Sequence, residues 1–162
     1  MKPKYTKFLI LSNLVLLLFF FNMDVFHKEQ TLESGQLILL ELIPVDPRSL
    51  MQGDYMTLRY RISSDINRSE IPNRGYIILT LDENSVGQKI RVQKDVTPLN
   101  NGEQLLKYYF GKRRPSIGAE SYFFQEGKGE KYEKAKYGGI MVDENGKGIL
   151  VDLYNKEFQK IE

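Results

Sequence analysis

The longest uncharged apolar stretch of the chain runs from Phe8 to Met23, and Val25 and Phe26 extend it past Asp24. The 19 residues from Phe8 to Phe26 rise ~1.5 Å each as a helix, enough to cross a hydrocarbon core of roughly 30 Å. Ser12 and Asn13 interrupt the run, but their side chains can bond within a helix. Beyond a polar stretch from Gln30 to Ser34 and a breaker at Gly35, the pattern changes character. "QLILLELIPV" is a nearly continuous apolar run, too short for a second span and stopped by Pro44. It predicts a strand covered on both faces. From Tyr55 to Ile62 the residues alternate instead. Met56, Leu58, Tyr60 and Ile62 share one parity; Tyr55, Thr57, Arg59 and Arg61 share the other. Strand side chains repeat every two residues, so this predicts a half-buried strand with its arginines toward solvent.

Further strands are expected at "YIILTLD", at "GQKIRVQKDVT" with Ile90, Val92 and Val96 inward, at "EQLLKYYFG" and at "AESYFFQEG". "SSDINRSEIPNRG" is polar and predicts one helical turn starting near Ser64. "KRRPSIG" reads as a basic loop and "GKGEKYEKAKYG" as one or two helical turns. "GGIMVDENGKGILVDLY" is a hairpin signal, since its Asn145-Gly146 pair favours the left-handed conformations a tight turn needs. "VDPRSLMQGD" joins the first two strands. Pro47 fixes φ, Asp46 can accept from backbone amides, and Gly53 is where a positive φ costs least. About seven strands with little helix predict a mainly β domain, a small antiparallel barrel or sandwich, behind one N-terminal transmembrane helix.

Composition and charge sharpen the division. Lys2, Lys4 and Lys7 precede the apolar run, and only Asp24 among the acidic residues lies before His27. The remainder holds 20 basic and 20 acidic residues. So balanced a domain has no electrostatic footprint for nucleic acid. The positive-inside rule puts residues 1–7 in the cytoplasm, a span at 8–26, a linker at 27–35 and an extracytoplasmic domain at 36–162. A cleaved signal would need a small-x-small site, and "NMDVFHKEQTLESG" offers no convincing one. A cleaved signal and a buried core helix are the two competing readings of this segment. With no cysteine and one histidine, disulfides, zinc-thiolate sites and cysteine nucleophiles are excluded, and a His-based site would rest on His27 alone.

"PVDPRSLMQGDYMTLRY" resembles the GDYXXLXY protein family, bacterial membrane-anchored proteins without an established activity. Gly53, Asp54, Tyr55, Leu58 and Tyr60 supply every fixed letter of that signature. Asp46, Pro47 and Arg48 lie in a lead-in of the family's type, and "SYFFQEGKGEKYEKA" is similar to its aromatic strand and Glu-Gly-x-Gly. Members are often encoded beside polytopic membrane proteins. The resemblance therefore implies an integral membrane protein as partner, besides the bilayer met through residues 8–26, and a place in the bacterial cytoplasmic membrane.

The candidate chemistry is sparse. "RSLMQGDY" is similar to the Ser/Lys arrangement of signal-peptidase-like enzymes, but Ser49 lies four residues before Gly53 and lacks the following Met. A dyad would need Lys89, Lys94 or Lys107 buried beside Ser49, because an exposed amine stays protonated. Asp46 and Asp54 could share a proton or a hard cation; capping of backbone amides with Arg48 as counterion is the simpler role. "DENGKG" is too short for an EF-hand and "GKGEK" is no P-loop. "GKRRPS" could meet anionic head groups, though three consecutive basic residues in a loop are usually solvated. Of Tyr108, Tyr109, Phe110, Tyr122, Phe123 and Phe124, only alternate ones can face one way along a strand. The resulting expectation is a non-catalytic, cofactor-free binding or accessory domain for a membrane-protein or cell-envelope partner, with the signature chiefly architectural. The alternative is an envelope hydrolase or peptidase using Ser49 or the Asp46/Asp54 pair. Small-ligand binding inside a barrel is a third reading and requires an empty apolar pocket.

Overall fold

The computed structural model describes residues 3–43, 55–64, 66, 71–111, 114–125 and 127–161. The chain divides into two compact units, Met1–Ser34 and Gly35–Glu162.

The first unit is a single helix, α1 (Pro3–Ser34). Its 32 residues give a rod of about 48 Å. The expected span is helical throughout, and so are residues 27–34, where a linker was expected. The polar residues of this end are good helix citizens because they bond locally. Lys28 reaches Asp24 at 3.0 Å one turn away. The Thr31 hydroxyl donates to the His27 carbonyl at 2.9 Å and the Ser34 hydroxyl to Gln30 at 2.8 Å. Every apolar side chain from Phe8 to Phe26 is exposed, around the whole circumference. Among the described residues this is the one helix long and apolar enough to cross a membrane.

The second unit is built from antiparallel sheets. One has the order β1 (Gln36–Glu41), β8 (Tyr137–Val142), β9 (Gly148–Tyr154). A second runs β4 (Gly87–Gln93), β3 (Arg74–Leu81), β5 (Glu103–Phe110), β6 (Pro115–Ser116), and a short ribbon pairs β2 (Tyr55–Thr57) with β7 (Ser121–Phe123). Two helical turns, α2 (Arg61–Ser64) and α3 (Gly129–Tyr132), complete it. Nine strands among the described residues compare with about seven expected; the additions are short. The hairpin β8–β9 forms as its sequence dictates. Gly146 takes φ +78°, and Asp143 Oδ1 accepts from the amides of Asn145 and Lys147 at 2.9 and 2.8 Å.

The two larger sheets share one core. Ile38 and Leu40 of β1, Ile77 and Leu79 of β3, Leu106 and Tyr108 of β5, Ile140 and Val142 of β8, and Leu153 of β9 meet there. In β1 and β3 the intervening Leu39 and Ile78 are also buried, so both strands are covered on both faces, as the unbroken apolar run of β1 implied. The sheets touch edge to edge at isolated points. The Leu39 amide donates to Ser85 at 2.9 Å, and the Lys107 amide donates to Gly146 at 2.7 Å. No continuous ladder joins them among the described residues, so the barrel alternative is corrected: this is not a closed barrel.

Three local expectations are also corrected. The strand expected from Tyr55 to Ile62 stops at Thr57, and the helical turn begins at Arg61 and ends at Ser64. Ile90, expected inward, is 47 % exposed. Ile78 pairs with Arg91 and Leu79 with Lys89, which leaves Ile90 as the extra residue of a β-bulge, without a partner to direct it inward. Val92, past the bulge, packs on the core. Val96 is exposed because polar contacts hold its loop. The Arg91 guanidinium bonds both carboxylate oxygens of Glu103 and reaches the Pro98 carbonyl at 3.0 Å. The Asn100 amide donates to Glu103 at 2.9 Å.

These contacts hold the Glu103 carboxyl well below the usual range, at about 2, chiefly through the bonds from Arg91 and then the Asn100 amide. A depressed folded-state pKa stabilises above the unfolded value and loses that contribution as pH falls through the folded one. The wild-type chain is therefore expected to exceed Glu103→Gln in urea midpoint at pH 6. The gap should narrow as the pH drops below the ordinary carboxylate range toward 2; a gap constant with pH would refute the assignment.

Candidate functional site around the signature strand

The signature enters the described structure at Tyr55 and crosses three neighbours in six residues. β2 pairs with β7, placing Met56 opposite Tyr122 and Thr57 opposite Ser121. The chain then leaves the ladder but remains bonded. The Leu58 amide donates to the Glu120 carbonyl at 2.8 Å, and the Arg59 carbonyl accepts from the Ile43 amide at 2.8 Å. Tyr60 bridges to Leu42, and its carbonyl accepts from the Ser63 amide at 3.1 Å as α2 begins. Arg61, at the start of that turn, grips Glu41 at the end of β1 through two bonds of 2.6 and 2.8 Å. The alternation read from the sequence survives this path. Leu58, Tyr60 and Ile62 are buried and Met56 partly so, while Thr57, Arg59 and Arg61 are exposed.

Tyr60 is the centre of the arrangement. Its ring is 1 % exposed, and its hydroxyl donates to the Ala119 carbonyl at 2.6 Å. It lies against the bare backbone of Gly138 in β8, where an added methyl would sit 2.9 Å from Cε1 and 3.1 Å from Oη. Burial, and then the nearby Glu120 charge, push the phenol well above its ordinary pKa. Glu120 is itself fixed: its carboxylate accepts from the Ser116 hydroxyl at 2.7 Å and from the Ile117 amide at 2.6 Å. Past β7, Tyr132 packs against Tyr122 and Phe124 with centroids at 5.1 and 5.4 Å. Burial and the bond with Tyr132 push the Tyr122 phenol up to about 12. Of the clustered aromatics, Tyr109 and Phe123 face solvent, and Tyr108, Phe110, Tyr122 and Phe124 line the core.

Beside Tyr60 lies a cavity of about 20 Å³, walled by Leu58, Arg59, Ser63, Arg114 and Glu120 among others. That is room for one water and too small for a metabolite. The Ser63 hydroxyl is buried there without a hydrogen-bond partner. Asp46, Pro47, Arg48, Ser49, Gly53 and Asp54 lie outside the described residues. Of the lysines proposed for a Ser49 dyad, Lys94 and Lys107 are exposed and Lys89 is half-buried. Among the described residues no group of three or more His, Asp or Glu is placed to hold a metal ion.

Glu120 and Gly138 carry this site as much as the signature itself does, yet neither stands out in the sequence. Glu120 is one of many surface-type acids. Only the Gly138-Gly139 pair inside an otherwise apolar strand hinted at close backbone approach.

Fold and site together define a small antiparallel β protein behind an apolar helix, whose signature segment knits its sheets together. The chain belongs to the GDYXXLXY family: residues 17–153 match the family model described as GDYXXLXY protein. No curated protein and no solved structure gives a significant match.

Leu58→Ala is expected to cost ~2–5 kcal/mol, because Leu58 is 3 % exposed and packs in the core. Urea unfolding of the full chain in detergent measures it, and an unchanged midpoint would remove the architectural reading. Ser63→Ala sacrifices no bond and removes an unsatisfied hydroxyl. It should leave stability unchanged or raise it by up to about 1 kcal/mol. A loss larger than that would mean that the hydroxyl is bonded, to water or to another group.

Proposed function

We propose that this protein is a membrane-tethered domain working by binding, as an accessory subunit to an integral membrane or cell-envelope partner. The observation carrying the proposal is the contrast between the two units. The β unit buries its own core entirely within residues 35–162. The helix leaves every apolar side chain from Phe8 to Phe26 uncovered. A rod that is hydrophobic all round suits lipid or a partner's apolar surface, and it is ill suited to water. Lys2, Lys4 and Lys7 before it favour a cytoplasmic N-terminus and an extracytoplasmic β unit at the bacterial cytoplasmic membrane. The buried groups in the described part of the signature, Leu58 and Tyr60, are occupied in holding the fold, which fits an architectural role for that segment. The hydrolase alternative rests on Ser49, Asp46 and Asp54, which lie outside the described residues.

In bacterial cells the full chain should stay in the membrane pellet after alkaline carbonate extraction. A C-terminal tag should be cleaved by protease added outside spheroplasts. Release by carbonate sinks the anchor; protection of the tag until lysis sinks the orientation. Crosslinking from intact membranes should recover a membrane protein with the β unit.

A further inference from the structure

Among the described residues, one buried side-chain polar atom is left without a hydrogen-bond partner, the Ser63 hydroxyl. Ser63 lies in α2, three residues past Tyr60, and is 7 % exposed. Folded proteins pair nearly all such groups, so an unmet one marks a place where something else can bond. The residue borders the cavity of about 20 Å³ beside Tyr60. Leu58 and Pro115 give that cavity buried apolar walls, and it opens partly to solvent. Arg59 and Arg114 also stand on its wall, and both are exposed.

Charge decides which ligand suits the cavity. Guanidinium groups stay protonated, so the two arginines contribute two fixed positive charges. Glu120 contributes one negative charge, and its carboxylate already accepts from the Ser116 hydroxyl at 2.7 Å and the Ile117 amide at 2.6 Å. A cation would meet two like charges here. An anion meets a net positive rim and a hydroxyl with a proton to donate. The space holds one oxygen atom, the size of a water, and excludes a tetrahedral group. A carboxylate satisfies both limits. One oxygen enters and accepts from Ser63; the other stays at the rim, where a guanidinium binds carboxylate in its fork geometry. A doubly charged phosphate exceeds the space and meets stronger repulsion from Glu120. We propose that the cavity between Ser63, Arg59 and Arg114 binds a carboxylate group, that of a small organic acid or of a peptide chain end. This site lies within the β unit and does not rest on the membrane-tethered reading.

Thermal unfolding of the full chain in nonionic detergent at pH 7 tests it. Sodium acetate is titrated against sodium chloride at constant ionic strength, so general screening is the same throughout. Acetate should raise the wild-type midpoint and the gain should saturate, as binding to the folded state requires. In Ser63→Ala, which is expected to fold normally, half-saturation should need about tenfold more acetate or greater, the loss of one bond to a charged group. Arg114→Gln should weaken the gain as well, and Arg114→Lys should restore part of it. A gain that never saturates, that is equal in Ser63→Ala, or that phosphate reproduces overturns the proposal. A short peptide with a free C-terminal carboxylate and its C-terminal amide then separate the two sources. Stabilisation by the free acid at lower concentration than acetate, and none by the amide, assigns the site to chain ends. Stabilisation by acetate and by neither peptide assigns it to small acids. Equal stabilisation by the peptide and its amide refutes carboxylate recognition. Carbonate extraction is unaffected by any of these results, so failure here leaves the tether standing.

Discussion

The Tyr60 side chain is the contact on which the β unit turns. This one residue reaches three segments distant in sequence: its ring packs on the Gly138 backbone, its hydroxyl donates to the Ala119 carbonyl, and its backbone bridges to Leu42. A ring of this size fits because β8 has no side chain at position 138. The opposite face of the same strand repeats the solution. Gly139 lies under the Tyr154 ring, where an added methyl would come 2.4 Å from Cε2. Two adjacent glycines thus accept two tyrosines from opposite sides, as the alternation of a strand requires. Glycine weakens a strand interior in isolation. Here the loss is offset by two large aromatic contacts, and β8 can be the central strand of its sheet.

The signature's spacing follows from this geometry. Leu58 and Tyr60 must share a face to enter one core, and the residue between them must be free to face water, as Arg59 does. The backbone over the same residues must satisfy two different neighbours. Leu58 donates toward the β7 side and Arg59 accepts from the β1 side, so the segment works as a splice between the ribbon and the larger sheet. A splice tolerates less than a ladder does, because no flanking register can compensate for a lost bond. That is a physical reason for a motif to be short and to contain a tyrosine whose hydroxyl has one fixed acceptor.

What could be read from the sequence was whatever local chemistry decides. The Asp143–Gly146 turn formed as expected because its requirements, a positive φ and an acceptor for orphan amides, are met by residues inside the turn. The parity of Met56, Leu58, Tyr60 and Ile62 was legible because burial follows alternation even where the strand gives way to α2. The exit from the strand after Thr57 was not legible. It depends on where Glu120 and Ile43 lie, which no periodicity encodes. Ile90 failed for a related reason: a bulge is a property of the pairing between β3 and β4, and β4 alone carries no sign of it. The antiparallel class was predictable from turn signals and strand lengths. Closure into a barrel was not, since it depends on whether the edges of β1 and β4 continue a ladder, and they meet at isolated points instead.

The two units also obey different thermodynamics. The core from Ile38 to Leu153 draws on the β unit alone, so the hydrophobic driving force for that unit is satisfied internally. For α1 it is not. Phe8, Phe19, Phe20, Phe21 and Phe26 each leave 60 % or more of their surface exposed, and the leucines between them about half. At roughly 25 cal/mol per Å² of apolar surface, a helix so uncovered is strongly disfavoured in water. Its own backbone bonds cannot offset that, because they are also available to a polar helix. An environment that is apolar around the full circumference, as lipid is, would remove that cost.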